Sequence, residues 1–150
     1  MNGADHALDA ALSLVNEARR TGAPSPRSES AEEALESRYG CSLRLAVYGS
    51  LAPGEANHRH LAGLRGAWEH GTVLGRKLDR GWGSRTGYPG LELSAAGDDV
   101  PVLLFTSADL PAAWARLDAF EGDDYRRVLA AVRRDGAVFA VANVYELTRR

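Results

Sequence analysis

Residues 117–125 read LDAFEGDDY and close a stretch of helical periodicity. Three apolar residues before and within this segment recur at i, i+4 and i+7 and define an inward helical face: Leu110, Trp114 and Leu117. Glu121 follows at i+11, roughly 20° from the start of that face at about 100° per residue. Gly122 is typical of a helix stop, so Glu121 lies at the negative end of the helix dipole. A carboxylate on an apolar face at this end breaks two local rules, and such breaks concentrate at functional sites.

The pattern leaves two interpretations of Glu121 open. In the first, its side chain turns into solvent beside the Gly-Asp-Asp that follows. In the second, it is a general acid/base held in an apolar cavity, where its pKa is raised.

The composition favours one soluble domain with a real core, because the 150 residues are 45% hydrophobic and 25% charged. The net charge of −2 is spread over interspersed acids and bases, which predicts no nucleic-acid partner. The single cysteine, Cys41, excludes an internal disulfide and fits a reducing cytoplasm. The first residues carry Asp5 and His6 and lack a basic, then apolar, leader pattern. We therefore expect a cytoplasmic protein without a signal peptide or membrane span.

The first 42 residues are predicted to be a helical extension of the domain that spans residues 43–150. An apolar face repeats along residues 5–20, which indicates a first helix. Ser30-x-x-Glu33 resembles a capping box and predicts a second helix through Ser37, closed by Gly40. This extension either packs on the domain or is partly disordered. Its helices are candidates for a homodimer contact.

From residue 43 onward the rhythm becomes extended, with apolar and polar residues in alternation. We predict strands over residues 43–48, 72–78, 91–93, 100–105, 125–132 and 137–145. Arg134-Asp135-Gly136 is a strong turn signal that pairs the last two as a hairpin. The sum is an α+β fold of about six strands around one principal helix over residues 108–120.

The first predicted strand ends in the sequence Tyr48-Gly49-Ser50-Leu51. A loop of this kind can turn consecutive backbone N–H groups toward a carboxylate or a developing oxyanion, and the Ser50 hydroxyl can add a hydrogen bond. The alternative is an ordinary turn between a strand and a loop.

Two segments together, VYGSLAPGEANHRHL at residues 47–61 and LDAFEGDDYRR at residues 117–127, resemble the gamma-glutamylcyclotransferase-like (AIG2-like) superfamily. The shared motifs are the Tyr-Gly-Ser-Leu loop, the Gly-x-x-Asn of Gly54 and Asn57, the Leu-Asp-x-Phe-Glu-Gly segment, and Tyr-x-Arg at Tyr125 and Arg127. The resemblance covers roughly Leu43 to Tyr145, so the N-terminal extension lies outside it.

This resemblance implies a small mixed β-barrel with flanking helices. The glycines around Trp82 match neither a dinucleotide-binding nor a phosphate-loop pattern, so the sequence predicts no cofactor. The resemblance also implies that the loop Tyr48–Leu51 holds the α-amino-acid end of a gamma-glutamyl group and that Glu121 is the acid/base. The substrate is then a small gamma-glutamyl amine or peptide, which releases 5-oxoproline when its α-amine attacks its own γ-carbonyl. One alternative is a non-catalytic domain of the same fold that binds a small metabolite or a peptide end, and another is a related amide-cleaving or transfer step in a biosynthetic pathway.

Tyr125 and Arg127 are further candidates for substrate binding. Tyr125 is placed to hydrogen-bond Glu121 or the substrate, or else to serve as a wall tyrosine of the barrel. Arg127 is suited to pair a substrate carboxylate through two hydrogen bonds, unless it is a solvated strand residue. We expect Asn57 to pin the loop and Trp82, Arg85 and Tyr88 to line an entrance or the surface. His58-x-His60 lacks further ligands at suitable spacing, so we predict no metal site.

Overall fold

The computed structural model describes residues 3–148. The helices are α1 (Gly3–Thr21), α2 (Pro26–Tyr39), α3 (Arg59–Ala62) and α4 (Leu110–Glu121). The strands are β1 (Arg44–Val47), β2 (Ala67–Leu78), β3 (Gly90–Leu93), β4 (Asp98–Thr106), β5 (Tyr125–Arg134) and β6 (Ala137–Leu147). Two short 3₁₀ segments, Cys41–Leu43 and Trp82–Thr86, complete the ordered elements. No helix in the described part of the chain is long and apolar enough to cross a membrane.

Five strands close a barrel in the order β2-β4-β1-β6-β5, and β3 adds a further strand beside β2. The barrel closes where β5 returns to β2, at the pair Thr72 and Arg133. The pairings are antiparallel except for β1 with β6, which run parallel through Leu45 and Asn143. The predicted α+β barrel of about six strands is therefore confirmed.

Alternation along the hairpin β5–β6 separates the barrel interior from an outer surface. One set of its side chains is small or β-branched and fills the barrel: Val128, Ala130, Val132, Ala140, Ala142 and Val144. The intervening residues Leu129 and Val141 face outward and are nevertheless buried. Both faces of the hairpin are thus buried, which explains why its sequence is almost continuously apolar.

The predicted inward face of α4 is confirmed. Leu110 and Leu117 are fully buried and Trp114 nearly so, packed against Leu45 and Phe105 of the barrel wall. The face thus fixes which way the last turn of α4 points, and Glu121 is buried with it.

The N-terminal helices pack on the outer surface of β5 and β6. Leu8, Val15 and Leu35 form one buried cluster with Leu129 and Val141. Two polar contacts reinforce it. The side chain of Asn16 donates to the carbonyl of Leu129 and accepts from its N–H, both at 2.8 Å. Arg20 reaches the buried Glu146 with its Nε 2.6 Å from Oε1.

The predicted start of α2 was wrong. The helix begins at Pro26, and Ser25 is its N-cap in a reciprocal capping box with Ser28. The expected cap, Ser30, lies inside the helix. Proline at the first helical position needs no N–H partner, so Ser-Pro outranked the Ser-x-x-Glu signal. Gly40 ends the helix with a φ of 60°, as predicted.

Substituting Ser25 with Ala is expected to lower the free energy of unfolding by about 1 kcal/mol, because the cap of α2 is lost. Ser30→Ala is the matched control and should be neutral or slightly stabilising, since an exposed helical Ser gains propensity as Ala. Urea denaturation of both variants measures this. Equal losses in the two variants would contradict the assignment of the cap.

Candidate active site

A cavity of about 40 Å³ lies between β1, the last turn of α4 and the loop that follows β1. Six of the seven residues that the sequence singled out for the site line it, namely Tyr48, Gly49, Ser50, Leu51, Glu121 and Tyr125. The barrel wall adds Ala46, Val47 and Tyr145, and the 3₁₀ segment and its continuation add Trp82, Gly83, Tyr88 and Pro89. The structure thus brings the glutamate and the glycine-serine loop into one hollow.

Glu121 is the charged residue of this cavity. Its side chain is buried with the inward face of α4, the residue being 8% exposed. Among residues 3–148 its carboxylate has neither a hydrogen-bond donor nor an ion-pair partner. Burial, with a smaller contribution from the nearby Asp118 carboxylate, raises the pKa of Glu121 to about 7. A carboxyl with this pKa exchanges a proton readily near neutral pH.

A hydrogen bond from the 3₁₀ segment Trp82–Thr86 holds the backbone of Glu121 in place. Trp82 donates from its indole Nε1 to the carbonyl oxygen of Glu121 at 2.8 Å. Carbonyls in the last turn of a helix have no partner within the helix, so this bond satisfies one of them. The contact also fixes Trp82 against the end of α4.

The loop after β1 is held from behind and leaves its donors free. Asn57 donates from its backbone N–H to the carbonyl of Ser50 at 2.8 Å and from its side chain to the Ser50 hydroxyl at 3.0 Å. His58 donates from Nδ1 to the carbonyl of Leu51 at 2.9 Å. The N–H groups of Gly49, Ser50 and Leu51 donate to no acceptor in the described part of the chain. The loop is therefore a preorganised set of donors suited to an anion.

The predicted role of Asn57, pinning the loop, is confirmed by these two hydrogen bonds.

The two predicted tyrosines differ in what their hydroxyls do. Tyr48 donates to the carbonyl of Tyr145 at 2.6 Å and accepts from the N–H of Leu91 at 3.2 Å, so its hydroxyl ties strands together. Burial raises the pKa of Tyr48, which stays a neutral phenol. The Tyr125 hydroxyl accepts from the N–H of Gly83 at 3.2 Å, and its own proton has no acceptor among residues 3–148. Tyr125 is thus a phenol in the cavity wall whose O–H can donate a hydrogen bond to a ligand.

Arg127 is not brought to this cavity. It lines a separate surface depression with Asp118, Tyr125 and Tyr145, and its pairing with a substrate carboxylate stays a prediction. Its guanidinium binds Asp118 through two hydrogen bonds of 2.9 and 3.1 Å and lies over the ring of Trp114, 4.4 Å from the centroid. Arg127 lies on the same face of β5 as Tyr125 but two residues further along the strand, where its guanidinium meets Asp118 of α4 instead of the cavity.

The segment of residues 80–90 contributes to the cavity unevenly. Trp82 and Tyr88 line it, whereas Arg85 lines a separate surface depression with Arg80. Tyr145 is a wall residue that sequence reasoning missed. It reaches the cavity because β6 runs parallel to β1, and no local signal announces a parallel pairing between strands so far apart in sequence.

Cys41 and His60 do not line this cavity. Cys41 is buried, and burial raises its pKa to about 11, so the thiol stays protonated. His60 stacks on Phe120 with ring centroids 3.9 Å apart. Within residues 3–148 no three His, Cys, Asp or Glu side chains are grouped to hold a metal ion.

The sequence matches the model of one protein family, described as gamma-glutamyl cyclotransferase, AIG2-like, over residues 45–150. The match includes the loop after β1 and all of α4. It excludes both N-terminal helices. The comparison with curated proteins finds no match.

Solved structures share the fold. An AIG2-like protein from Mus musculus is 21% identical with a TM-score of 0.54, over 72% of this chain and 79% of that one. PH0828 from Pyrococcus horikoshii is 21% identical with a TM-score of 0.53, over 72% of this chain and 80% of its own. YkqA from Bacillus subtilis is 21% identical with a TM-score of 0.54, over 69% of this chain, which spans about a third (35%) of YkqA.

Proposed function

The chain belongs to the gamma-glutamyl cyclotransferase, AIG2-like family, and we propose that it is an active, cofactor-independent cyclotransferase. Its substrate is a gamma-glutamyl amine or peptide, and its product is 5-oxoproline together with the released amine. Cys41 is a free, buried thiol, which is consistent with a cytoplasmic location.

The observation that carries the proposal is the pairing of one unpartnered carboxyl with a row of free donors in the same cavity. Glu121 has a pKa of about 7, so both of its protonation states are accessible near neutral pH. The N–H groups of Gly49–Leu51 can receive the substrate's α-carboxylate or the negative charge that develops on the γ-carbonyl oxygen. These are the two requirements for intramolecular aminolysis.

The reaction follows from these groups. The Glu121 carboxylate removes a proton from the substrate α-ammonium, and the free amine attacks the γ-carbonyl carbon to form the ring C–N bond. The γ-oxygen carries negative charge until the original amide C–N bond breaks. Glu121 returns this proton to the departing nitrogen as the amide bond breaks. The Glu121 carboxylate then takes the second proton from the ring nitrogen and passes it to the expelled amine, which leaves as an ammonium. Because both reacting groups belong to one molecule, holding them in the attacking geometry supplies several kcal/mol.

The cavity as it stands holds about three water molecules by the usual space each one needs. A gamma-glutamyl group is larger than this, so its binding requires the loop after β1 and the segment of residues 80–90 to move apart. Tyr88 bridges them with two hydrogen bonds: its phenol donates to the carboxylate of Glu55 at 2.8 Å and accepts from the N–H of Ala56 at 3.5 Å.

The direct test is an assay for 5-oxoproline with the purified protein over a panel of gamma-glutamyl amines, gamma-glutamyl peptides and glutathione. We expect turnover of at least one class, rising with pH through about 7 as Glu121 ionises. A protein that binds members of the panel in calorimetry but releases no 5-oxoproline from any of them would instead be the non-catalytic binding domain.

A further inference from the structure

Asp118 lies one turn before Glu121 on α4, and two side chains, from β5 and β6, hold its carboxylate. Arg127 donates to both of its oxygens, at 2.9 and 3.1 Å, and the Tyr145 hydroxyl donates to Oδ1 at 2.6 Å. A carboxylate with three such donors is fixed in orientation, although its side chain is 44% exposed.

The contact with Tyr145 connects this carboxylate to the cavity wall. Tyr145 is one of the residues that line the cavity, and its backbone carbonyl accepts the hydrogen bond of Tyr48 at 2.6 Å. Tyr48 in turn begins the loop whose N–H groups are free. One chain of contacts therefore joins the last turn of α4 to the donor loop.

The contact with Arg127 connects it to the N-terminal helices. Arg127 donates to the side-chain oxygen of Asn143 at 3.2 Å, and Arg19 of α1 donates to the same oxygen at 2.9 Å. Asn143 also donates to the carbonyl of Cys41 at 2.8 Å. A helix that lies outside the family match thus takes part in holding the end of α4.

We propose that Asp118 is a positioning residue for Glu121, anchoring the last turn of α4 and keeping a negative charge one helical turn from the Glu121 carboxyl. The contribution of Asp118 to catalysis rests on the proposed function. The relation between the two carboxyls is a property of the folded chain and is measurable without turnover.

The surroundings of Glu121 agree with this role. The titratable groups around it come from its own helix, the loop after β1, the segment of residues 80–90, β5 and β6. They are Asp118, Tyr48, Tyr88, Tyr125 and Tyr145. The described residues that line the cavity include no Lys, Arg or His to offset Asp118. Burial acts to raise the pKa of Asp118, but the hydrogen bonds from Arg127 and Tyr145 outweigh it and keep Asp118 ionised.

The test is an NMR titration of side-chain carboxyls with ¹³C-labelled Glu, in which Glu121→Gln assigns the Glu121 signal. Asp118→Asn removes the charge, and we expect the pKa of Glu121 to fall by at least about 0.5 pH unit, given side chains one turn apart and partly in water. Arg127→Gln removes the countercharge but keeps Asp118, and we expect the pKa of Glu121 to rise. Arg116→Gln, on the exposed side of the same helix, is the control and should leave it unchanged.

A fall of the Glu121 pKa in Asp118→Asn together with a rise in Arg127→Gln supports the inference. A general loosening of α4 would instead move the Glu121 pKa in the same direction in both variants. Shifts of the same sign, or none, overturn it even if the protein turns over substrate. If Asp118→Asn does not fold, the Arg127→Gln shift alone decides. In an active protein the rise of rate with pH should move with the titration, and a protein without turnover still gives the titration result.

Discussion

Replacing Glu121 with Gln is expected to lower 5-oxoproline release by at least about 100-fold, as loss of a general acid/base does. The amide keeps the shape of the side chain and cannot accept a proton from the substrate α-ammonium. Binding should persist, because the loop Gly49–Leu51 is untouched. Initial rates across the panel, together with calorimetric binding of an accepted substrate, measure both effects. Rates within a few-fold of the unsubstituted protein would remove Glu121 from the mechanism.

Stability measurements provide the control for this variant. The pKa of Glu121 is raised in the folded state, so the group favours folding below its ordinary pKa of 4.5, and this contribution is lost as the pH rises through about 7. Relative to the unsubstituted protein, Glu121→Gln should therefore gain stability between pH 4.5 and 7. Glu69→Gln, an exposed residue paired with Arg134 at 3.5 Å, should change neither the activity nor this pH dependence.

Replacing Arg20 with Met is expected to lower the free energy of unfolding at pH 7 by about 3–5 kcal/mol. Glu146 is 1% exposed, and Arg20 contacts both of its oxygens, at 2.6 and 3.1 Å. Its other donor, the N–H of Leu93, lies 3.4 Å away, so the variant leaves a buried carboxylate almost uncompensated. Urea denaturation at pH 7 measures the loss.

Two further variants separate this effect from ordinary loss of side-chain packing. Combining Arg20→Met with Glu146→Leu should recover most of the stability, because replacing both partners of a buried pair by apolar groups is often neutral. Arg76→Met breaks an exposed pair with Glu92, 3.7 Å apart, and should cost less than about 1 kcal/mol. If Arg20→Met cost no more than Arg76→Met, the N-terminal helix would not be joined to the barrel through Glu146.

The features that sequence reasoning predicted well are those that depend on neighbours along the chain. The inward face of α4 and its stop at Gly122 follow from a period of 3.6 residues and from glycine at a helix end. The hairpin across Asp135 follows from a turn signal, and Asp135 does adopt a positive φ of 53°. The failures lie where two local signals competed, as at Ser25 and Ser30, and where strand pairing extended an element, as at the start of β2.

The sequence by itself determined the alternation of strands, the principal helix, and the presence of a glutamate on an apolar face next to a glycine-serine loop motif elsewhere in the chain. Only the tertiary structure decided that these two features share a cavity, that Arg127 forms an ion pair with Asp118, and that Tyr145 and the N-terminal helices support the site. The reason is that local patterns record which face of an element is apolar, whereas barrel closure and the parallel pairing of β1 with β6 bring together residues about 60 to 100 positions apart.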